Sequence, residues 1–160
     1  MAPASRLPGA MASAPFDDEG VATRDRTIVR AGVVEGYFLG TYSARKLGMK
    51  STGNAGGHHN LFVRSEGPDF AGMLKHMHKG LLVTELMGQG VNYVTGDYSR
   101  GAAGFWVEGG RIQHPVHEVT IAGNLAGMLR QIVALGADEY TSGGKTVGSM
   151  LLERMKVAGS

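Results

Sequence analysis

The period at which apolar residues recur changes several times along the chain, and each change predicts an element. Phe70, Met73, Leu74 and Met77 fall at i, i+3, i+4 and i+7, the spacing that gathers side chains on one helical face. Pro68 stands near the start of this run, Lys75 and Lys79 near its end, and Gly80 just beyond, so a helix with a core-facing stripe is predicted. A second helix is predicted from Asn124, a good N-cap, through Leu125, Met128, Leu129, Ile132 and Val133, with Gly136 as its stop. A shorter one follows Thr41, which can cap it, with Ala44 and Leu47 as apolar contacts and Gly48 at its end.

Elsewhere the pattern is that of strands. Thr27, Ile28 and Val29 lead into Ala31-Gly32, and Val33 to Leu39 return, which predicts a hairpin. Residues 51–57 are too rich in small and turn-forming residues to be anything but a loop, after which Leu61, Phe62 and Val63 resume a strand. Leu81 to Leu86 is a buried-strand candidate. Gly109-Gly110 joins Phe105–Glu108 to Arg111–His114, a two-residue hairpin signal in which both glycines can take positive φ. Val119 and Ile121 alternate with Glu118 and Thr120 in a strand that continues past Pro115, with a bulge expected at the proline. Strands and helices do not alternate regularly, so the expected fold class is α+β, a mainly antiparallel sheet with two or three packed helices.

At 160 residues and 42% hydrophobic, the chain can bury the core of one ordinary domain. The longest apolar runs fall far short of the ~20 residues that a membrane-spanning helix needs. No apolar core of a signal peptide follows the first residues, and the expected location is cytoplasmic. Cysteine is absent, which excludes disulfides, thiolate ligands and cysteine nucleophiles within the chain. The formal charge of +2 comes from scattered Lys and Arg, whereas a nucleic-acid binder concentrates such charge on one face. Glycine is the unusual count, 26 of 160, about twice the roughly 7% of ordinary proteins, and it implies many tight turns.

Six histidines in a cysteine-free chain raise the question of a metal. His76 and His78 sit two apart on a predicted helix, about 200° around its axis, and do not converge. His114 and His117 lie three apart on a predicted strand and point to opposite faces. His58 and His59 are adjacent in or near a loop, where one could ligate. The only His-Glu pair, His117-Glu118, is followed by Val119, Thr120, Ile121 and Ala122, so the second histidine of a metallopeptidase helix never arrives. There is no Gly-x-Ser-x-Gly elbow, and Gly88-Gln89-Gly90 leads to no third glycine at dinucleotide spacing. What remains is the polar, glycine-rich stretch of Glu85, Gly88, Gly90, Asn92, Tyr93, Thr95, Gly96, Asp97, Tyr98, Ser99 and Arg100. Two interpretations stand open for it. It is either a solvated loop in which Asp97 caps a turn and Arg100 finds a surface carboxylate, or a loop whose amides and charges meet an extended peptide or a partner subunit.

Nine ordered blocks carry a resemblance: APFDDEG at 14–20, TYSARKLG at 41–48, STGNAGG at 51–57, TELMGQGVN at 84–92, VTGDYSRG at 94–101, GFWVE at 104–108, PVHE at 115–118, TIAGNL at 120–125 and MKVAG at 155–159. From about residue 11 to the end they resemble the C-terminal part of the TldD/PmbA metallopeptidase family, on its zinc-less PmbA (TldE) side. The resemblance implies residues 11–160 as one such C-terminal domain, with residues 1–10 a disordered or arbitrary start. Family members are longer and carry an N-terminal domain, so the resemblance also implies a fragment, from a split gene, a late start or an incomplete sequence.

In that family, zinc is held on TldD-type chains by two histidines of a His-Glu-x-x-x-His helix and a cysteine near the C-terminus. The position facing that cysteine falls here near residues 144–148, where there is none. The resemblance therefore implies no cofactor in this chain and zinc in a TldD-type partner. Expected partners are a TldD-type subunit or a second PmbA-type chain, with unfolded or extended peptides as substrate. No catalytic residue is expected, and contacts to substrate or partner are placed at Glu85, Gly88, Gly90, Asn92, Gly96, Asp97, Ser99 and Arg100. The alternative function is a non-catalytic peptide- or protein-binding module. A third, modulation of DNA or gyrase, meets the scattered charge as its objection.

Overall fold

A computed structural model describes residues 1–159. The chain forms two compact units, residues 1–64 with 139–148, and residues 65–138 with 149 onward.

In the first unit, β1 (Ala2–Ala4) pairs antiparallel with β4 (Asn60–Val63), so an edge strand lies within the ten residues set apart in the sequence. β4 pairs in parallel with β10 (Lys145–Val147), which pairs antiparallel with β9 (Tyr140–Ser142). The predicted hairpin is present as β2 (Val29–Arg30) and β3 (Val33–Val34). Ala31 and Gly32 at its turn have φ of 47° and 80°, the two positive values that a turn matching the strand twist demands. α1 (Thr41–Lys46) begins at its expected cap rather than after it, because Gly40 takes the N-cap position and the Thr41 amide donates to the Glu19 carboxylate at 2.6 Å. A carboxylate reached across 22 residues replaces the local hydroxyl cap. Ala44 is buried as expected, whereas Leu47 is exposed.

The second unit is built on α2 (Phe70–Met77) and a four-stranded sheet. Asp69 caps α2, accepting from the Gly72 amide at 2.8 Å, an interaction whose loss typically costs ~1 kcal/mol. Met73 is its buried residue. The helix ends on His78, at φ 57°, rather than on Gly80, which opens β5 (Gly80–Met87). β5 pairs antiparallel with β6 (Asp97–Glu108), β6 with β7 (Arg111–Asn124), and β7 with β12 (Lys156–Ala158). Gly109 and Gly110, at φ 61° and 70°, make the predicted two-residue turn, and the Gly110 amide donates to the His78 carbonyl at 2.9 Å. The Ala102, Ala103, Val107 and Ile121 side chains are the buried centre of this sheet.

Two expectations need correction here. Pro115 sits opposite Phe105 without a bulge of its own; the register shifts lie on either side, one passing Gln113 and one passing His117 and Glu118, where Glu118 has φ 56°. The ladder accommodates a residue without an N–H between two irregularities rather than at it. The helix after Asn124 is also shorter than its periodicity predicts. α3 (Leu125–Arg130) stops at Gln131, and Ile132 to Leu135 form β8, which pairs antiparallel with β11 (Met150–Leu152). The β-branched Ile132 and Val133 favour a strand once a partner strand is available, and tertiary pairing overrides the helical spacing. Asn124 caps α3 as expected, accepting from the Ala126 amide at 3.2 Å.

The fold class is therefore α+β with mainly antiparallel sheets and three helices among the described residues. None of these helices is long and apolar enough to cross a membrane.

Candidate functional site

The polar, glycine-rich stretch is the end of a long β-hairpin arm. β5 and β6 pair from Gly80 opposite Val107 to Met87 opposite Gly101. Gly88 leaves β5 with φ 77°, and residues 89–96 fold back along the arm, with Val91 bridging to Tyr98. Gly90 lies so close to β6 that a Cβ there would stand 1.6 Å from the Ser99 carbonyl oxygen, and its own carbonyl accepts from the Ser99 amide at 2.7 Å. Only glycine fits that approach.

Asn92 organises the turn. Its side-chain oxygen accepts from the Val94 amide at 2.9 Å and the Thr95 amide at 3.2 Å, while its amide donates to the Asp97 carbonyl and its carbonyl accepts from the Gly96 amide, both at 2.8 Å. The Thr95 hydroxyl donates to the Asp97 carboxylate at 2.7 Å. From α3's N-terminus, the Asn124 side chain donates to the Thr95 carbonyl at 3.0 Å, and the Leu125 amide to the Gly96 carbonyl at 2.7 Å. Arg100 does not meet a carboxylate. Its guanidinium donates to the carbonyls of Leu86 at 3.1 Å and Met87 at 3.4 Å, fastening β5 to β6 near the base of the turn.

Of the eight residues singled out in the sequence, Gly90, Asn92, Asp97 and Ser99 line one open pocket of about 400 Å3, together with Gln89, Val91 and Tyr98. Glu85, Gly88, Gly96 and Arg100 do not line it. Glu85 is exposed on β5 opposite Ala103 and forms no ion pair among the described residues. Tyr93, named in the polar stretch but not among the expected contacts, and Val94, named in neither, stand at the tip 87% and 95% exposed. Two apolar side chains between Asn92 and Thr95, in a segment otherwise made of turn formers, were the available signal. The second role of Asn124 had none, since its partner Thr95 lies 29 residues away.

A larger groove of about 960 Å3 lies on the face of the sheet towards α2 and α3. Met73, Met77, Met128, Met150, Met155 and Trp106 are among its lining residues, together with Leu86 and Tyr98. Lys79 also lines it; this residue pairs with Glu108 at 3.0 Å, and that hydrogen bond holds the Glu108 carboxyl below its ordinary value.

The histidines do not assemble. The His58 Nδ1 lies 2.6 Å from the His59 carbonyl, and the His59 Nε2 lies 2.9 Å from the Gly53 carbonyl, so both rings are engaged by backbone. His76 is exposed on α2, His78 caps its end, His114 pairs opposite Trp106 and His117 falls in the bulge. Among the described residues no three His, Asp or Glu side chains are grouped to hold a metal ion. At 144–148 the chain is β10 and its flanks, where Thr146 bonds to Thr141 at 2.8 Å. These donors do not fit zinc, which takes His, thiolate or carboxylate ligands in a tetrahedral set.

These features define a class: an α+β domain with an antiparallel sheet and a hydrogen-bonded hairpin arm, with no grouped zinc donor set among the described residues. The family model of the PmbA/TldA metallopeptidase C-terminal domain matches residues 2–159, and the chain belongs to that family. It is 58% identical to the metalloprotease PmbA of Escherichia coli O157:H7, over 93% of this chain and 33% of that protein. It is 54% identical to the metalloprotease PmbA homolog of Haemophilus influenzae, over 94% of this chain and 34% of that one. The chain thus spans about a third of the length of these relatives. Among solved structures, a Thermotoga maritima protein described as a suggested modulator of a DNA gyrase superposes with a TM-score of 0.88 at 37% identity, covering 98% of this chain and 38% of that one. TldE from Thermococcus kodakarensis shares the fold, with a TM-score of 0.81 at 23% identity, covering 99% and 39% of the two chains.

Proposed function

We propose that this chain is the C-terminal part of a PmbA-type subunit of a cytoplasmic two-component metallopeptidase, in which a TldD-type partner supplies the zinc. The observation that carries the proposal is membership of the family combined with a donor set that does not fit the metal. Zinc on the partner would polarise the water that attacks the peptide bond. This chain's contribution would be to hold an extended substrate or the partner along the arm. Gly90, Asn92, Asp97 and Ser99 border a pocket there, and β5 ends its sheet with an unpaired edge to which an extended peptide can add.

The alternative, a binding module without hydrolytic output, is favoured by one specific feature. Asn92, Asp97 and Arg100 satisfy their hydrogen bonds within the arm, which makes it a stiff presenting element rather than a reactive one. Metal analysis of tag-free, dialysed protein separates the first proposal from an intrinsic metalloenzyme. The zinc content should be well below stoichiometric, and one tightly held zinc per chain would overturn the zinc-less assignment.

A further inference from the structure

The chain passes between its two compact units three times, after residues 64, 138 and 148. The second and third passages bound a short excursion, residues 139–148, which carries β9 and β10. β10 pairs in parallel with β4, and the connection between those strands runs through most of the second unit. A parallel pair joined in this way has no tight turn to set its register, and closing a longer loop costs more entropy. None of residues 139–148 is buried, and the β9–β10 hairpin is three residues a side, too short to be stable alone. Its ends must be held.

Within the second unit the three passages are tied together. Ser149 donates its amide to Asp138 Oδ1 at 2.9 Å and its hydroxyl to Asp138 Oδ2 at 2.5 Å, so one carboxylate bridges the residues on either side of the excursion. The Gly136 amide adds a bond to the Ser149 carbonyl at 2.7 Å. The segment that follows β4 joins the same cluster: the Ser65 hydroxyl donates to the Leu135 carbonyl at 2.7 Å, and the Ala137 amide to the Pro68 carbonyl at 2.8 Å. Two glycines permit the close approach. A Cβ at Gly136 would stand 2.0 Å from Asp138 Oδ1, and one at Gly67 would stand 2.0 Å from the Leu135 carbonyl oxygen. Bonds to a carboxylate are stronger than those between neutral groups, so Asp138 is the chief link.

We propose that Asp138 and Ser149 form a clasp that closes the excursion into a loop and fixes where β10 meets β4, so that residues 139–148 open and close as one unit under its control. β4 ends at Val63, two residues before Ser65; β9 begins at Tyr140, two after Asp138; β10 ends at Val147, two before Ser149. Each strand is a short tether from the cluster, and holding the tethers together holds the register that sets Lys145 opposite Leu61 and Val147 opposite Val63. The inference concerns how this part of the chain is held and stands whether or not the peptidase reading does.

The test is hydrogen exchange read by mass spectrometry on the complete subunit that contains this domain. Asp138→Ala should speed exchange of residues 139–148, and of the Leu61 amide that donates to the Gly144 carbonyl at 2.7 Å, by at least about tenfold, with residues 97–124 unchanged. Ser149→Ala loses the hydroxyl bond and keeps that of the amide, so it should speed the same residues by a smaller factor. This milder variant carries the test if Asp138→Ala does not fold. Asp69→Ala, which removes the α2 cap in the same unit, is the control for a lesion away from the clasp and should leave residues 139–148 unchanged. Unaltered exchange at 139–148 in the clasp variants would mean that other contacts hold the excursion, and it overturns the proposal. Acceleration that spreads equally to 97–124, or an equal response to Asp69→Ala, overturns it as well.

Discussion

Residues 51–57 and 88–96 are two glycine-rich stretches with three glycines each, and they do opposite things. The first is turned inward. Asn54 is 7% exposed, accepts from Arg26 at 2.8 Å and Thr52 at 3.0 Å, and donates to the Gly57 carbonyl at 3.1 Å. Asp17, 4% exposed, accepts from the amides of Ala55 at 2.9 Å, Glu19 at 3.0 Å and Val21 at 2.9 Å. The second stretch satisfies itself almost entirely within the arm and leaves its apolar tip in solvent. The difference is made by residues far away in sequence, Arg26 and Asp17 for one loop and little beyond Asn124 for the other. A buried polar loop is structural because its donors have no other partner; an exposed, self-satisfied one is free to present what lies between its hydrogen bonds.

The comparison can be broken most easily at Asp17. Asp17→Ala leaves three amides without their acceptor, each loss costing roughly 1 to 3 kcal/mol, so a total destabilisation of about 3 kcal/mol or more is expected. Thermal unfolding should register it as a drop of roughly 10 °C for a chain of this size. Next comes Gly90→Ala, whose Cβ cannot coexist with the Ser99 carbonyl. It should open the end of the arm at a cost of about 2 kcal/mol, read as faster hydrogen exchange of the Ser99 amide with the Asp17 loop unchanged.

Acid should act on two carboxylates engaged by backbone amides, Asp17 and Asp138. Burial raises the Asp17 carboxyl, but amides from Ala55, Val21 and Glu19 outweigh it and hold the group below its ordinary 3.8. Asp138 behaves likewise. Burial raises it, and the Ser149 hydroxyl and amide, at 2.5 and 2.9 Å, bring it below 3.8. Folded values below the unfolded ones mean stabilisation that is present above pH ~4 and is lost as pH falls through the lowered values. Denaturation midpoints followed below pH ~4 should therefore fall less steeply for Asp138→Asn than for the parent chain. The smallest stability effects belong to the charges at the end of the arm, exposed Asp97 and half-buried Arg100. Asp97→Ala and Arg100→Ala should each shift stability by about 0.5 kcal/mol or less, yet weaken peptide processing or pairing in the complete subunit. Outright unfolding of both would make them structural, and full retention of stability, pairing and processing would remove them from the site.

What was legible in the sequence was what is local. The α2 helix, the Gly109-Gly110 turn and the Asn124 cap are each specified by neighbours within a few residues and each formed where expected, although of the α2 stripe only Met73 is buried and Phe70 is 41% exposed. The end of α3 was not legible, because Ile132 and Val133 satisfy a helical period and a strand equally. The choice was made by Met150–Leu152, which no period within the window could see. The same limit applies to the site. Glycine, Asn92 and Asp97 marked a loop, but that Arg100 would clamp two carbonyls of β5 rather than meet a carboxylate follows only from strand register.

The division of labour between this chain and a zinc-bearing partner is tested most directly by hydrolysis of an unfolded peptide. The assay uses the complete subunit that contains this domain, alone and mixed with a TldD-type partner, with and without a chelator. Cleavage is expected only in the mixture, abolished by the chelator and restored by zinc. Cleavage by the purified subunit alone that persists in the chelator would contradict it.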